Sequence, residues 1–288
     1  KGAIPPINEV EWNEAFNKYK KFPEYQKINK GMTLSEFKFI FFWEYIHRLL
    51  GRIIGIVFII PFVYFWRKKY FNPKQKKQLT ILLLLGSLQA FLGWFMVKSG
   101  LVDVPDVSHY RLALHLVVAF AIMCYIYWII INLNNIKKET NKMIFTLSRM
   151  LIICLIIQVI YGAFTAGLKA GYIIPHNSNL LNTIFGYSIR GLNDFNILTN
   201  GIDIQAVHRL LAWFIFGIVI YKFKKTRNTN LSYNGLVILI ITTIQIFLGI
   251  TTLLSRVNIY SAVIHQLFAI LLLLTAIHIN YLSSKKTQ

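Results

Sequence analysis

The sequence predicts an all-α, polytopic membrane protein, and three observations carry that prediction. The hydrophobic share is 56% and the mean hydropathy +0.53, too apolar for a soluble chain of 288 residues, whose surface has to be mostly polar. Seven apolar windows are each long enough to cross a bilayer core of roughly 30 Å, which takes about 20 helical residues. Lysine and arginine, which give a formal charge of +20, gather in alternate connecting loops rather than on one amphipathic face. The charge therefore reads as membrane topology, and a nucleic-acid partner is excluded.

Taken in order, residues 1 to 39 form an outer-face segment in which 11 to 40 read as a surface helix leading into the first span. The abrupt start at Lys1-Gly2-Ala3-Ile4-Pro5-Pro6, without a signal peptide, raises the expectation of a helix upstream. Spans follow near 40–66, 79–97, 112–131, 145–168, 203–222, 234–254 and 260–282. The loop from Arg67-Lys68-Lys69 to Lys76-Lys77, the segment with Lys137, Lys138 and Lys142, the run Lys222 to Arg227, and Lys285-Lys286 fall on alternate turns and mark the inner side. Residues 1–36, 98–111, 169–202 and the turn at Arg256 then face outward. The loop 169–202 mixes Gly, Asn and Pro with Leu and Phe, which predicts a segment folded back on the membrane surface. Cys124 and Cys154 lie inside apolar runs without metal-like spacing, so disulfide and zinc chemistry drop out.

Internal repetition organises these spans. His47-Arg48-Leu49-Leu50 recurs as His208-Arg209-Leu210-Leu211, and Gln89-Ala90-Phe91-Leu92-Gly93 as Gln245-Ile246-Phe247-Leu248-Gly249. Tyr110 stands five residues before His115, as Tyr260 stands five before His265. Three matches in the same order predict a duplicated unit: an N-terminal half at 40–144 and a C-terminal half at 145–288. The span at 145–168, with Gln158-Val159-Ile160-Tyr161-Gly162, lacks a counterpart in the first half, which the expected upstream helix would supply. The complete arrangement is then eight helices, four plus four.

Ionisable side chains inside a span are costly and point to function by default, although a single histidine often only bonds a neighbouring helix. Four at repeat-matched positions argue for a common task. Counted along the helices, His47, His115, His208 and His265 all fall in the outer half of the membrane. Two helices that each present one histidine at similar depth can clamp a haem iron through both axial positions. The natural pairs are His47 with His115 and His208 with His265. Arg48, Arg52, Arg111 and Arg209 stand at the outer rim, where they suit haem propionates or simple interfacial snorkelling. His109 and His176 read as loop residues and His278 as an inner-boundary residue, without assigned roles. The halves differ at one position: Glu44 stands three residues before His47, whereas Gln205 stands three before His208. A carboxylate on the face of the first site can act as acid or base, or pair with Arg48 instead. The asymmetry points to chemistry at the first site and electron transfer at the second.

At these residues the sequence resembles a known family. The stretch from Asn29-Lys30-Gly31-Met32-Thr33 through Trp43-Glu44-Tyr45-Ile46-His47-Arg48-Leu49-Leu50-Gly51-Arg52 is similar to haem A synthase, in its mitochondrial and alphaproteobacterial branch serving cytochrome c oxidase assembly. The segments Gly93 to Leu101, Tyr110 to His115 and Gly162 to Gly171 extend the likeness over nearly the whole chain. The resemblance implies an eight-helix fold with pseudo-twofold-related halves and an oxidoreductase that converts the C8 methyl of haem O to the formyl group of haem A by successive hydroxylations. It implies a substrate site with Glu44 as catalytic residue beside His47 and His115, and a haem B cofactor on His208 and His265. Lipid surroundings, a homo-oligomer, haem O synthase and an electron donor are the implied partners. The implied location is a bacterial plasma membrane or a mitochondrial inner membrane, with the haem sites near the outer face. The competing readings are a bis-histidine cytochrome b that only passes electrons and, further off, an inverted-repeat transporter, whose mid-membrane helix breaks the sequence lacks.

Overall fold

The computed structural model describes residues 4–100, 107–134, 136–173 and 196–285. Among them every regular element is helical. Seven helices, α3 to α9 below, have the length and apolarity to cross a membrane. The chain divides into two compact units at Arg111/Leu112.

The first unit opens with α1 (Glu9–Tyr19), whose start is fixed by the Asn8 side chain accepting from the Glu11 N–H, and the short α2 (Pro23–Lys27). Trp12, Phe16 and Tyr19 repeat at helical spacing and so share one face. That face packs on the start of α3: Phe16 and Tyr19 lie 5.2 and 5.0 Å from the Phe37 ring, and Trp12 lies 5.1 Å from Phe41. Phe16 and Phe37 are buried by this cluster.

Helix α3 (Leu34–Arg67) begins six residues before the expected span, and the surface segment is two helices rather than one. The reason is local. Gly31 adopts a φ of 91° and breaks the preceding turn, and Thr33 with Glu36 forms a reciprocal capping box that nucleates the helix at Leu34. At 34 residues the helix is about 51 Å long, so part of it stands beyond a 30 Å core. The unit continues with α4 (Pro73–Gly100).

The second unit contains α5 (His109–Leu133) from Leu112 onward, α6 (Lys142–Gly167), a 3₁₀ turn (Ala170–Tyr172), α7 (Gly201–Thr226), α8 (Ser232–Leu254) and α9 (Ile259–Ser283). Helix α6 packs on α7 and α9, and α8 packs on the same two. The four helices thus close a ring with α7 and α9 on one diagonal. Ile144, Leu151, Ile215, Val219, Ile238 and Ile279 form its core, which Phe120 and Ile131 of α5 join. Near the end expected to be inner, the Glu139 and Asn141 N–H groups bond the carbonyls of Leu282 and Ser283, and Gly235 lies directly against the Thr226 hydroxyl. At the other end Arg256 and Val257 both take left-handed φ values, 53° and 58°, which is costly for a β-branched residue. Val257 lies over Gly171, where a Cβ would be 2.5 Å from its Cγ2. Most of the loop 169–202, with His176, falls outside the described residues.

Candidate functional site

Helix α7 starts at Asn200, whose side chain accepts from the N–H groups of Ile202 and Asp203. His208 follows seven residues after Gly201, and His265 six after Ile259, the first residue of α9. Because α8 runs back between them, α7 and α9 start on the same face, and the two histidines lie about 10 and 9 Å in from it. They stand at similar depth on the diagonal helices of the ring, within electrostatic range of each other.

Each ring rests on a glycine of the neighbouring helix. A Cβ at Gly162 on α6 would lie 3.1 Å from Cε1 of His208, and one at Gly249 on α8 would lie 3.0 Å from Cε1 of His265. Both glycines sit five residues before the end of their helix and four after a glutamine, Gln158 or Gln245. The Gln158 amide donates to the His208 carbonyl oxygen at 2.9 Å and pins α6 to α7. Both Nδ1 atoms are buried; the backbone carbonyls of Gln158 and Gln245 approach the respective rings without completing a well-formed bond to Nδ1. The side-chain oxygens of Gln158 and Gln245 are also buried without a hydrogen bond among the described residues. Unsatisfied polar atoms are expensive in an apolar bundle and tend to mark a place for a ligand. Two diagonal imidazoles at one depth, each backed by a side chain no larger than hydrogen, fit the axial ligation and flat shape of a haem.

Gln205 is buried, and its amide is used at both ends. Its Nε2 donates to the Ala170 carbonyl at 3.3 Å, and its Oε1 accepts from Arg209. A carboxylate cannot make the first of these bonds, which explains a neutral residue here. In the first unit the matching pair on α3 is Glu44 with Arg48, joined as a half-exposed ion pair. This is the structural alternative the sequence left open for Glu44.

His47 is exposed on α3, thirteen residues after Leu34. His115 stands six residues after His109 on α5, the same register as His265 on α9, and its Nδ1 is buried. The described structure thus brings His208 and His265 together in one bundle and Glu44 with Arg48 on one helix; Glu44 and His47 belong to the first unit and His115 to the second. The Arg111 guanidinium lies over the Phe95 ring at 5.2 Å, and Arg52 follows Arg48 by one turn of α3. The His109 and Tyr110 rings lie 3.9 Å apart, tilted by 39°. His278 accepts or donates at Nδ1 to the Tyr127 hydroxyl, 2.8 Å away, and so ties α9 to α5.

Gly162 and Gly249 stand in the sequence as members of the Gln-x-x-x-Gly motif at 89–93, 158–162 and 245–249, which does not reveal that they face the histidines.

The chain matches the cytochrome oxidase assembly protein family over residues 1–277. It is 45% identical to the heme A synthase of Flavobacterium psychrophilum, covering 98% of this chain and 87% of that protein. It is 41% identical to that of Flavobacterium johnsoniae, over 94% and 83% of the two chains. With the heme A synthase of Pelagibacter ubique the identity is 39%, over 98% and 85%. No solved structure matches the chain. Two histidines clamped at one depth in a membrane bundle and a near full-length likeness to these enzymes lead to one conclusion: the chain belongs to the haem A synthase family of cytochrome oxidase assembly proteins.

Proposed function

We propose that this multi-pass membrane protein is an oxidoreductase that converts the C8 methyl of haem O to the formyl group of haem A, with the two activities divided between the halves at 40–144 and 145–288. The observation that carries the division is the contrast between Gln205, whose amide is consumed in structural bonds, and Glu44, a carboxylate held on α3.

In the second half His208 and His265 hold haem B, whose chemistry when bound is one-electron transfer. Gln205 keeps that site neutral and fixes Arg209 for a propionate. In the first half His47 and His115 hold the substrate, haem O. Glu44 serves as the acid–base group beside the substrate, with Arg48 orienting its carboxylate. Arg48, Arg52 and Arg111 serve propionates at the rim. The haem sites face the outer side of the cytoplasmic membrane, opposite the basic loops. Lipid, a second copy of the chain, haem O synthase and an electron donor are the partners this reading calls for.

The test is extraction and chromatography of haems from protein expressed with and without a haem O supply. Haem B alone without supply, and haem A or a hydroxylated intermediate with it, is the expected result. Haem B alone under both conditions, in a folded full-length chain, would favour a bis-histidine cytochrome b.

A further inference from the structure

We infer that Gly162 and Gly249 are positioning residues that set the plane and the free nitrogen of the two axial imidazoles, each acting through the carbonyl four residues earlier. The inference rests on the assignment of His208 and His265 as ligands of haem B.

The geometry repeats almost without change on two different helix pairs. At Gly162 a Cβ would meet Cε1, Nδ1 and Nε2 of His208 at 3.1, 3.7 and 3.9 Å; at Gly249 it would meet the same atoms of His265 at 3.0, 3.7 and 3.7 Å. In a helix the carbonyl of residue i accepts from the N–H of i+4 and keeps a second lone pair directed outward. Any side chain at i+4 crowds the approach to that lone pair. With glycine there, the imidazole settles edge-on against the helix, and its Nδ1 is turned inward and buried. An iron-ligating histidine commonly donates its other ring N–H to a carbonyl, which fixes the tautomer and raises the basicity of the ligating nitrogen. Burial of Nδ1 leaves Nε2 as the nitrogen for iron; in His208 that atom lies 3.5 Å from the Gln158 side-chain nitrogen, which has to give way to a ligand. The carbonyl contact is loose in the described structure, where neither Nδ1 has a hydrogen bond.

Gly217 offers the control. It lies on α7 with His208, and a Cβ there meets nothing within 4 Å. Gly162→Ala and Gly249→Ala each force the ring to yield by a few tenths of an ångström, whereas Gly217→Ala forces nothing.

The experiment is electron paramagnetic resonance and redox titration of the oxidised low-spin haem B in purified protein. Gly162→Ala and Gly249→Ala are expected to shift the largest g-value, which reports the angle between the imidazole planes. They should also raise the reduction potential as the ligand loses basicity, and weaken haem retention about 10-fold. Gly217→Ala is expected to match the parent protein in all three. Parent-like g-values and potential in both glycine variants, while His208→Ala abolishes the low-spin signal, overturn the inference and leave the ligand assignment standing. A low-spin signal that survives both His208→Ala and His265→Ala overturns the ligand assignment itself. Should an alanine variant yield no haem-loaded protein, free imidazole is titrated into His265→Gly, with and without Gly249→Ala. Imidazole binding about 10-fold weaker in the double variant supports the glycine's role, and equal affinity refutes it.

Discussion

Replacing Glu44 by glutamine separates two roles that its carboxylate can have. Its only described partner is Arg48, one turn along the same helix, and the two side chains are 48% and 37% exposed. An exposed i, i+4 ion pair stabilises a helix by about 0.3–0.5 kcal/mol, so Glu44→Gln should leave the fold, abundance and haem B content of the protein almost unchanged. A positioned acid or base contributes about 10²–10⁴-fold to a rate, equivalent to about 2.7–5.4 kcal/mol of barrier. The structural and the catalytic effect thus differ roughly tenfold in energy, and one variant can tell them apart. Haem A formed per folded chain is measured by chromatography of membranes supplied with haem O, with thermal stability of the detergent-solubilised protein measured in parallel. Arg48→Gln breaks the same ion pair and should show the same small stability change while keeping the carboxylate. Haem A formation in Glu44→Gln at more than about a tenth of the parent level would refute the catalytic assignment.

Further outcomes follow from the second unit. Gln205→Leu should cost about 1–3 kcal/mol of stability in detergent, because it removes both the bond from Arg209 and the bond to the Ala170 carbonyl; Gln205→Glu, which keeps the bond from Arg209, should cost less, and equal losses would contradict the bonding described. Gly235→Ala should destabilise the α7–α8 hairpin by about 1–3 kcal/mol, read as a lowered midpoint of thermal unfolding, since a Cβ there would overlap the Thr226 hydroxyl. Tyr127→Phe should cost about 0.5–1.5 kcal/mol by loss of its bond to His278 without altering the haem spectrum; a changed spectrum would assign His278 a role near the cofactor.

The seven spans were readable because bilayer thickness fixes their length and apolarity, and the repeat was readable because His-Arg-Leu-Leu is rare enough to stand out in apolar sequence. Helix boundaries were readable only where side chains act locally. The capping box at Thr33 and Glu36 could have placed the start of α3, but span length drew attention to residue 40 instead. What the sequence hid was partnership between helices. Gln205 announced itself as a neutral counterpart of Glu44, yet its bond to the Ala170 carbonyl depends on how α7 meets the turn after α6. Gly162 and Gly249 are legible as repeat positions, but that an imidazole rests on each depends on how neighbouring helices pack. Likewise nothing in the spacing of Tyr127 and His278, 151 positions apart, announces their bond.

The order of helices around the second unit bears on how such a protein is made. Going round the ring, each helix packs beside its neighbour in sequence, except where α6 meets α9. During synthesis the first three of these spans can reach the membrane and associate while the fourth side stands open. The seam closes only when the last span, carrying His265, arrives. A flat macrocycle can therefore be admitted laterally from the lipid before closure, without prising apart a finished core. By the same logic a chain that terminates before Ile259 cannot shut the ring, and leaves Ile215, Val219 and Ile238 turned toward a partner that never comes. Such an unfinished edge, apolar and lined with polar atoms lacking bonds, is the kind of surface on which membrane quality control acts.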